Sequence, residues 1–183
     1  MYYKIIHDNN TLFCFHYKVL LDLHGAPGSQ NGQDHSGHTG DVNWLNNGNV
    51  DRTIVVLGQL SGIMEGSIRA ETLYGIELLN EPASSMGNLW DTCKNTFYPN
   101  GYHKIRDNYF KSLPDDKKPW VTIMGGFKAN SEFFGYMAEP NFHYVSLDQH
   151  FYLCFGDVSI YLFKPEINNP EFSLNAAFKL KMV

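Results

Sequence analysis

The segment GIELLNEP (75–82) carries an apolar run into an amide and a carboxylate, Asn80 and Glu81, directly before a proline. Isoleucine and leucine belong in a core, but the two polar groups belong there only if they meet a partner or a ligand. A carboxyl group among apolar and aromatic neighbours has a raised pKa and can carry a proton at neutral pH. The segment therefore predicts that Glu81 is a general acid or base and that Asn80 holds a substrate hydroxyl. The alternative is a strand end whose polar residues merely meet solvent.

The segment DQHFY (148–152) predicts three polar side chains on one face of a strand. Because side chains alternate along a strand, Asp148, His150 and Tyr152 point to one side and the other two residues to the opposite side. Packing alone does not explain three polar groups on one face at a strand end. We therefore expect functional roles for His150 and Tyr152.

Histidines elsewhere offer a second kind of chemistry. His24 lies at the end of the apolar run KVLLDLHG (18–25), and His35 and His38 lie with Asp34 in a loop. Imidazole and carboxylate groups are metal ligands, but this spacing is loose and no further ligand cluster is apparent in the sequence. Ordinary loop histidines are the favoured interpretation of His35 and His38, and no metal is expected. The alternative is a metal-dependent hydrolase that uses four histidines: His24, His35, His38 and His150.

Regular elements must bring these segments together. Apolar runs bounded by Gly, Pro and Asn predict four strands, and amphipathic or capped stretches between them predict three helices. The strands are expected at 18–25, 74–79, 120–126 and 143–152, and the helices at 51–62, 101–113 and 131–137. This alternation predicts right-handed βαβ units and a parallel sheet. Polar residues at three strand ends then predict a site at the carboxyl edge of the sheet.

Composition restricts the function further. The chain has 183 residues, 43% of them hydrophobic and 15% aromatic, with a formal net charge of −5. The mildly acidic balance gives no electrostatic reason to expect a nucleic-acid partner, and no run reaches the roughly 18–20 apolar residues of a membrane span. No glycine-rich phosphate-binding motif follows a strand, so no nucleotide cofactor is expected. No CxxC pair is present, and the disulfide state stays open for the three cysteines, Cys14, Cys93 and Cys154.

Three segments combine into a recognisable pattern: LDLHGAPGSQNG (21–32), GIELLNEP and DQHFY. Together they resemble family 5 of the glycoside hydrolases, and within it they are most similar to the fungal-type exo-β-1,3-glucanases (glucan β-1,3-glucosidases). The resemblance covers about residues 19–156. Residues 1–18 and 157–183 do not resemble the family, and the latter are expected to be irregular. The resemblance implies an α/β fold, an incomplete (β/α)₈ TIM barrel with roughly strands three to six and their helices.

The same resemblance implies an activity and roles for single residues. The expected reaction is retaining hydrolysis of O-glycosyl bonds in a β-glucan or oligosaccharide, without a cofactor. An extracellular location is also implied, although the N-terminus has a poor signal-peptide pattern. By resemblance, Glu81 is the acid/base and Asn80 is the amide that binds the sugar 2-hydroxyl. His24 is the active-site histidine after strand three, and His150 and Tyr152 are the pair near the nucleophile.

The second carboxylate of a retaining site is not apparent. Retaining hydrolysis needs two carboxyl groups about 5–5.5 Å apart, and the family places its nucleophile in a G-E-W/F-like context that this sequence lacks. Glu166 and Glu171 are poor candidates, because only 13 residues separate Tyr152 from Glu166 and a helical crossover alone takes a dozen or more. The sequence therefore predicts an inactive fragment with two unpaired edge strands. The alternative is a non-catalytic β-glucan-binding remnant.

Overall fold

The computed structural model describes residues 2–7, 17–67, 72–152 and 178–180, and within them the side chains of 18–65 and 72–152. The described strands form one sheet and are β1 (Tyr2–His7), β2 (Tyr17–Asp22), β3 (Leu73–Glu77), β4 (Trp120–Met124), β5 (Val145–Phe151) and β6 (Phe178–Leu180). The described α-helices are α1 (Asn49–Ser67), α2 (Gly87–Thr92) and α3 (Tyr98–Asn108). Short 3-10 turns lie at Asp34–Ser36, Asp115–Lys117 and Asn130–Phe133.

The four central strands are parallel and lie in chain order. β2 pairs with β3, β3 with β4 and β4 with β5, each in parallel register. The crossover from β2 to β3 contains α1, and the crossover from β3 to β4 contains α2 and α3. The predicted βαβ arrangement is therefore confirmed, and the carboxyl ends of these four strands share one edge of the sheet.

The expectation of two unpaired edges is wrong for β2 and β5. β1 pairs antiparallel with β2, with Tyr2 opposite Asp22, and β6 pairs in parallel with β5. Both added strands lie in the segments 1–18 and 157–183, outside the predicted strands. The unpaired N–H and C=O groups along a parallel edge are a template for any available backbone, and here backbone from both ends of the chain fills it.

Pro99 explains why the sequence did not predict α2, and it also explains how α2 continues into α3. α2 leads through a π-helical turn, Cys93–Phe97, straight into α3. Proline lacks an N–H donor and its ring excludes the carbonyl four residues earlier, and the widened turn just before Pro99 accommodates both effects. The helical segment therefore begins before the predicted 101, and it ends before the predicted 113.

The predicted helix at 131–137 is only a 3-10 turn, Asn130–Phe133. Gly135 follows with a φ of +73° and Met137 with a φ of +45°, so the backbone leaves the right-handed helical region within two residues. The connection from β4 to β5 therefore contains no α-helix among the described residues.

Helices α1 and α3 pack against each other and against the sheet. A Cβ atom on Gly101 would lie 3.2 Å from Leu78 and 3.4 Å from Leu57, so glycine permits the close approach of α3. The hydroxyl group of the buried Tyr98 donates to the Met124 carbonyl at 2.8 Å. The fully buried apolar side chains of this core include Leu57, Ile76, Leu78, Phe97 and Ile105.

The sequence left the disulfide state of the three cysteines open and predicted no membrane span. Cys93 is a buried free thiol, whereas Cys14 and Cys154 lie outside the described residues. Within the described ranges, no helix combines the length and apolar character needed to cross a bilayer.

Candidate active site

The five residues singled out in the sequence meet at the carboxyl edge of the parallel strands. His24 follows β2, Asn80 and Glu81 follow β3, and His150 and Tyr152 lie at the end of β5. All five line one cleft, together with His35 and Phe151. The expected grouping is therefore present, while the role of each residue stays a prediction.

The backbone turns sharply at Glu81, where φ is +41°. Residues other than glycine rarely adopt this left-handed conformation, and the proline that follows disfavours right-handed helical backbone. Just before the turn, the Asn80 N–H donates to the Leu23 carbonyl at 3.1 Å, which ties the segment after β3 to the segment after β2. Backbone strain of this kind accompanies functional sites, and here it accompanies a carboxyl group that lines the cleft.

Gln30 holds the two loops beneath the cleft together. Its side chain is fully buried, and its amide nitrogen donates to the carbonyl of His24 at 3.0 Å and to that of Asn80 at 2.8 Å. Its amide oxygen accepts from the Ala26 N–H at 3.0 Å. Sequence reasoning did not single out Gln30, although it lies in the segment LDLHGAPGSQNG that carries the family resemblance.

Three side chains surround the Glu81 carboxylate. The His150 Nδ1 lies 2.5 Å from Oε1 of Glu81, and the Tyr152 hydroxyl donates to the same oxygen. On the other oxygen, the His35 Nε2 lies 3.1 Å from Oε2. The alternation expected along β5 is confirmed for His150 and Tyr152, which both reach Glu81, and for Gln149, whose amide turns away to the Lys128 carbonyl at 3.1 Å. Phe151 was expected on the opposite face but also lines the cleft.

The pKa of Glu81 is lowered to about 2. Burial of the carboxyl group acts to raise this pKa, but the hydrogen bonds from His150 and Tyr152 and the positive charges of His150 and His35 outweigh burial. The expectation of a raised pKa was wrong, because it included burial without the partners that the fold brings to this carboxylate. Glu81 is therefore ionised at neutral pH in this arrangement.

Further carboxylates lie behind the histidines. The His24 Nδ1 lies 2.6 Å from Oδ2 of Asp22, and the His150 Nε2 lies 3.5 Å from Oδ2 of Asp148. A carboxylate partner fixes the orientation of an imidazole ring. Ligand atoms of Glu77, Asp148 and His150 lie within 4.8 Å of one another, but His150 already contacts Glu81, so we assign this group no metal.

His35 was interpreted as an ordinary loop histidine, and its position contradicts that interpretation. It lines the cleft, and its ring lies edge-on to the ring of His24 with the centroids 5.9 Å apart. His38 is not among the residues that line the cleft. The metal-dependent alternative therefore lacks one of its four histidines at this site.

Two exposed aromatic rings lie in the cleft or beside it. Phe127 follows β4 and is 54% exposed, with its ring centroid 6.4 Å from that of His150 and 6.1 Å from that of Tyr152. Phe151 is 48% exposed and lines the cleft itself. Exposed aromatic faces beside hydrogen-bonding groups suit a ligand with both apolar faces and hydroxyl groups.

Within the described side chains, Glu81 is the only carboxylate that lines the cleft. Glu166 and Glu171 lie outside the described residues. The described cleft can therefore exchange a proton at one carboxylate and hold hydroxyl groups at the neighbouring amide, imidazole and phenol groups.

The chain is similar in sequence to fungal proteins. It is 38% identical over 159 residues to a glucan 1,3-beta-glucosidase of Pichia angusta, covering 84% of this chain and 34% of that protein. It is 32% identical over 149 residues to glucan 1,3-beta-glucosidase I/II of Saccharomyces cerevisiae, covering 81% of this chain and 31% of that protein. The chain thus spans about a third of the length of the curated relatives it matches. No family model matches the chain.

Solved structures share the fold. The crystal structure of AoRut aligns with a TM-score of 0.57 at 19% identity, covering 73% of this chain and 38% of that one. A rutinosidase from Aspergillus niger aligns with a TM-score of 0.53 at 21% identity, with the same two coverages of 73% and 38%. At these identities the likeness concerns the fold alone. The four parallel strands with their helices agree with the predicted incomplete (β/α)₈ barrel.

Proposed function

As a homologue of the glucan 1,3-beta-glucosidases, this chain belongs to a family of glycosidases, and we propose that its cleft binds glucosyl units of a β-glucan or oligosaccharide. Glu81 is the acid/base of this site, and the binding residues are His24, Asn80, His150 and Tyr152. One observation carries the proposal: the ends of β2, β3 and β5 bring His24, Glu81 and His150 into a single cleft, where His150 and Tyr152 contact the Glu81 carboxylate. The extracellular location implied by the family resemblance stays a prediction.

The amide oxygen of Asn80 supports a sugar-binding role. The side chain is 1% exposed and lines the cleft, yet its Oδ1 has no hydrogen-bond partner among the described residues. A buried acceptor without a partner costs about 1–3 kcal/mol. A sugar hydroxyl group would supply the missing donor, so ligand binding would offset this cost.

Retaining hydrolysis would use Glu81 twice. It would first protonate the leaving glycosidic oxygen and then accept a proton from the water that attacks the glycosyl intermediate. Formation of that intermediate needs a second carboxylate about 5–5.5 Å away, and the described lining of the cleft contains none. We therefore propose that this chain by itself binds glucan without hydrolysing it.

Calorimetric titration with laminari-oligosaccharides tests the binding. We expect a saturable heat with the wild-type chain and weaker binding with Asn80→Ala, because that variant removes the buried amide acceptor. Asn108→Ala is the matched control, since Asn108 is exposed at the end of α3, and it should bind as the wild type does. A folded wild-type chain that gives no heat would refute the proposed function.

A turnover assay separates binding from hydrolysis. With laminarin or an aryl β-glucoside, we expect no product from the wild-type chain. Product that disappears in Glu81→Gln would refute the non-catalytic proposal and would show that another group serves as the nucleophile.

A further inference from the structure

The two oxygens of Glu81 have different surroundings. Oε1 contacts His150 and Tyr152, and the His150 side chain is only 7% exposed. Oε2 lies 3.1 Å from Nε2 of His35, whose side chain is 36% exposed. His35 therefore connects Oε2 to solvent, and the proposed function gives this histidine no role.

Asn31 also contacts His35, and its amide favours one of the two possible states of Nε2, the ring nitrogen that faces Glu81. Its Nδ2 donates to the Glu81 carbonyl at 2.9 Å, and its Oδ1 accepts from the Gln33 N–H at 2.9 Å. These two contacts fix the orientation of the amide group. The same Nδ2 lies 3.0 Å from Nε2 of His35. Because an amide nitrogen only donates, Nε2 meets it best as an unprotonated acceptor.

Glu81 and Asn31 therefore place opposite requirements on Nε2 of His35: one favours a proton there and the other favours a free lone pair. When Glu81 is ionised, Oε2 favours a proton on Nε2, although the Asn31 amide then faces another donor. When the proton lies on Oε2, Nε2 is an acceptor, which suits both the carboxyl group of Glu81 and the amide of Asn31. A single proton thus has two positions across a 3.1 Å separation, which is within hydrogen-bonding range.

We propose that His35 is the proton partner of Glu81, and that one proton moves between Nε2 of His35 and Oε2 of Glu81. In this step the N–H bond of the imidazolium breaks and the O–H bond of the carboxyl group forms, and the reverse step restores both groups. The ring keeps its other proton on Nδ1, which lies 3.6 Å from Oδ1 of Asp34. The inference rests on the proposed function, because it concerns the carboxylate of the proposed sugar-binding site.

Other titratable groups face this pair from each neighbouring element. His150 and Tyr152 act on Oε1, so a substitution of His35 changes the surroundings of Oε2 alone. Among the described residues, the titratable groups around this pair are Asp34 on the same loop, Asp22 at the end of β2, His24 after it, Glu77 in β3, and Asp148, His150 and Tyr152 in and after β5.

Carbon-13 NMR of the Glu81 carboxyl group over a pH series tests the proposal, with the resonance assigned by its loss in Glu81→Gln. The pKa of Glu81 is about 2, and in His35→Gln we expect its titration midpoint to rise by about 0.5 unit or more, because a neighbouring positive charge is removed. His38→Gln is the matched control, since His38 is an exposed histidine of the same loop, and should leave the midpoint unchanged. Equal midpoints in the wild type and His35→Gln would overturn the proposal.

This measurement uses no sugar, so a shifted midpoint without glucan binding would discard the proposed function alone. Glucan binding without a shifted midpoint would discard the proton partner alone.

Discussion

Glu81 meets a histidine at each carboxylate oxygen, with His150 at Oε1 and His35 at Oε2. Its charge is therefore set by contacts with residues from two other segments rather than by its place after a strand. These contacts keep Glu81 ionised at neutral pH, so the proton that an acid/base transfers has to come from a neighbouring group. His35 at Oε2 is the proposed partner.

Glu81 should stabilise the fold in a pH-dependent manner. Its pKa is about 2 in the folded chain against 4.5 as the reference value, so the folded state binds this proton less tightly than the unfolded state. The contribution is therefore fully present above about pH 4.5 and lost as the pH falls toward 2. Urea unfolding at pH 6 and pH 3 should show a larger drop in unfolding free energy for the wild type than for Glu81→Gln.

The control for this prediction is Asp91→Asn, at an exposed position of α2. It should keep the pH dependence of the wild type. A wild type and a Glu81→Gln variant that lose the same unfolding free energy between the two pH values would contradict the contacts described at this carboxylate.

At the scale of elements, the cleft depends on loops that lock the strand ends to one another. β2 and β3 end side by side, and Gln30 then bridges the carbonyl groups of His24 and Asn80 beyond them. The loop after β2 also brings His35 over the end of β3, to Oε2 of Glu81. The strands therefore bring the site residues to one edge of the sheet. The buried Gln30 amide then holds the loops after β2 and β3 next to each other.

Gln30→Ala should destabilise the chain and weaken sugar binding together. The substitution leaves two carbonyl groups without their donor, and each buried unsatisfied group costs about 1–3 kcal/mol. Unfolding free energies from urea titration and calorimetry with laminari-oligosaccharides measure the two effects. Gln33→Ala is the matched control, because Gln33 is an exposed glutamine of the same loop, and its two values should stay near those of the wild type. A Gln30→Ala variant as stable as Gln33→Ala would exclude the bridging role.

At the scale of the whole molecule, one core joins the helices to the sheet. Leu57 of α1, Ile76 of β3 and Ile105 of α3 are all fully buried in the same cluster. The sheet also gains β1 along the whole of β2 and β6 beside Gln149–Phe151 of β5. The described residues therefore form a connected unit around the cleft.

Two substitutions in α1 test the shared core. Leu57→Ala should lower the unfolding free energy by about 2–5 kcal/mol, because it removes a fully buried side chain and leaves a cavity. Ile63→Ala on the same helix should cost about 0.5 kcal/mol or less, since Ile63 is 54% exposed. Urea unfolding followed by circular dichroism gives both values. Similar losses in the two variants would show that α1 does not pack as described.

The sequence by itself determined the four parallel strands, the helix between the first two of them, and the polar residues at the strand ends. Hydrophobic runs, glycines and prolines are local signals, so β2, β3, β4, β5 and α1 follow from them. The same signals missed α2, because Pro99 and the π-helical turn before it hide a continuous helical segment. They also missed β1 and β6, whose strand conformation depends on the edges they pair with.

Only the tertiary structure decided the chemistry of the cleft. The contacts of Glu81 with His150 and Tyr152 span 69 and 71 positions, and the contact of Gln30 with Asn80 spans 50. No local pattern encodes such distances, so the role of Gln30 and the position of His35 were invisible in the sequence. The lowered pKa of Glu81 has the same origin, because burial could be foreseen from an apolar run, whereas its hydrogen-bond donors come from distant segments that meet only in the folded chain.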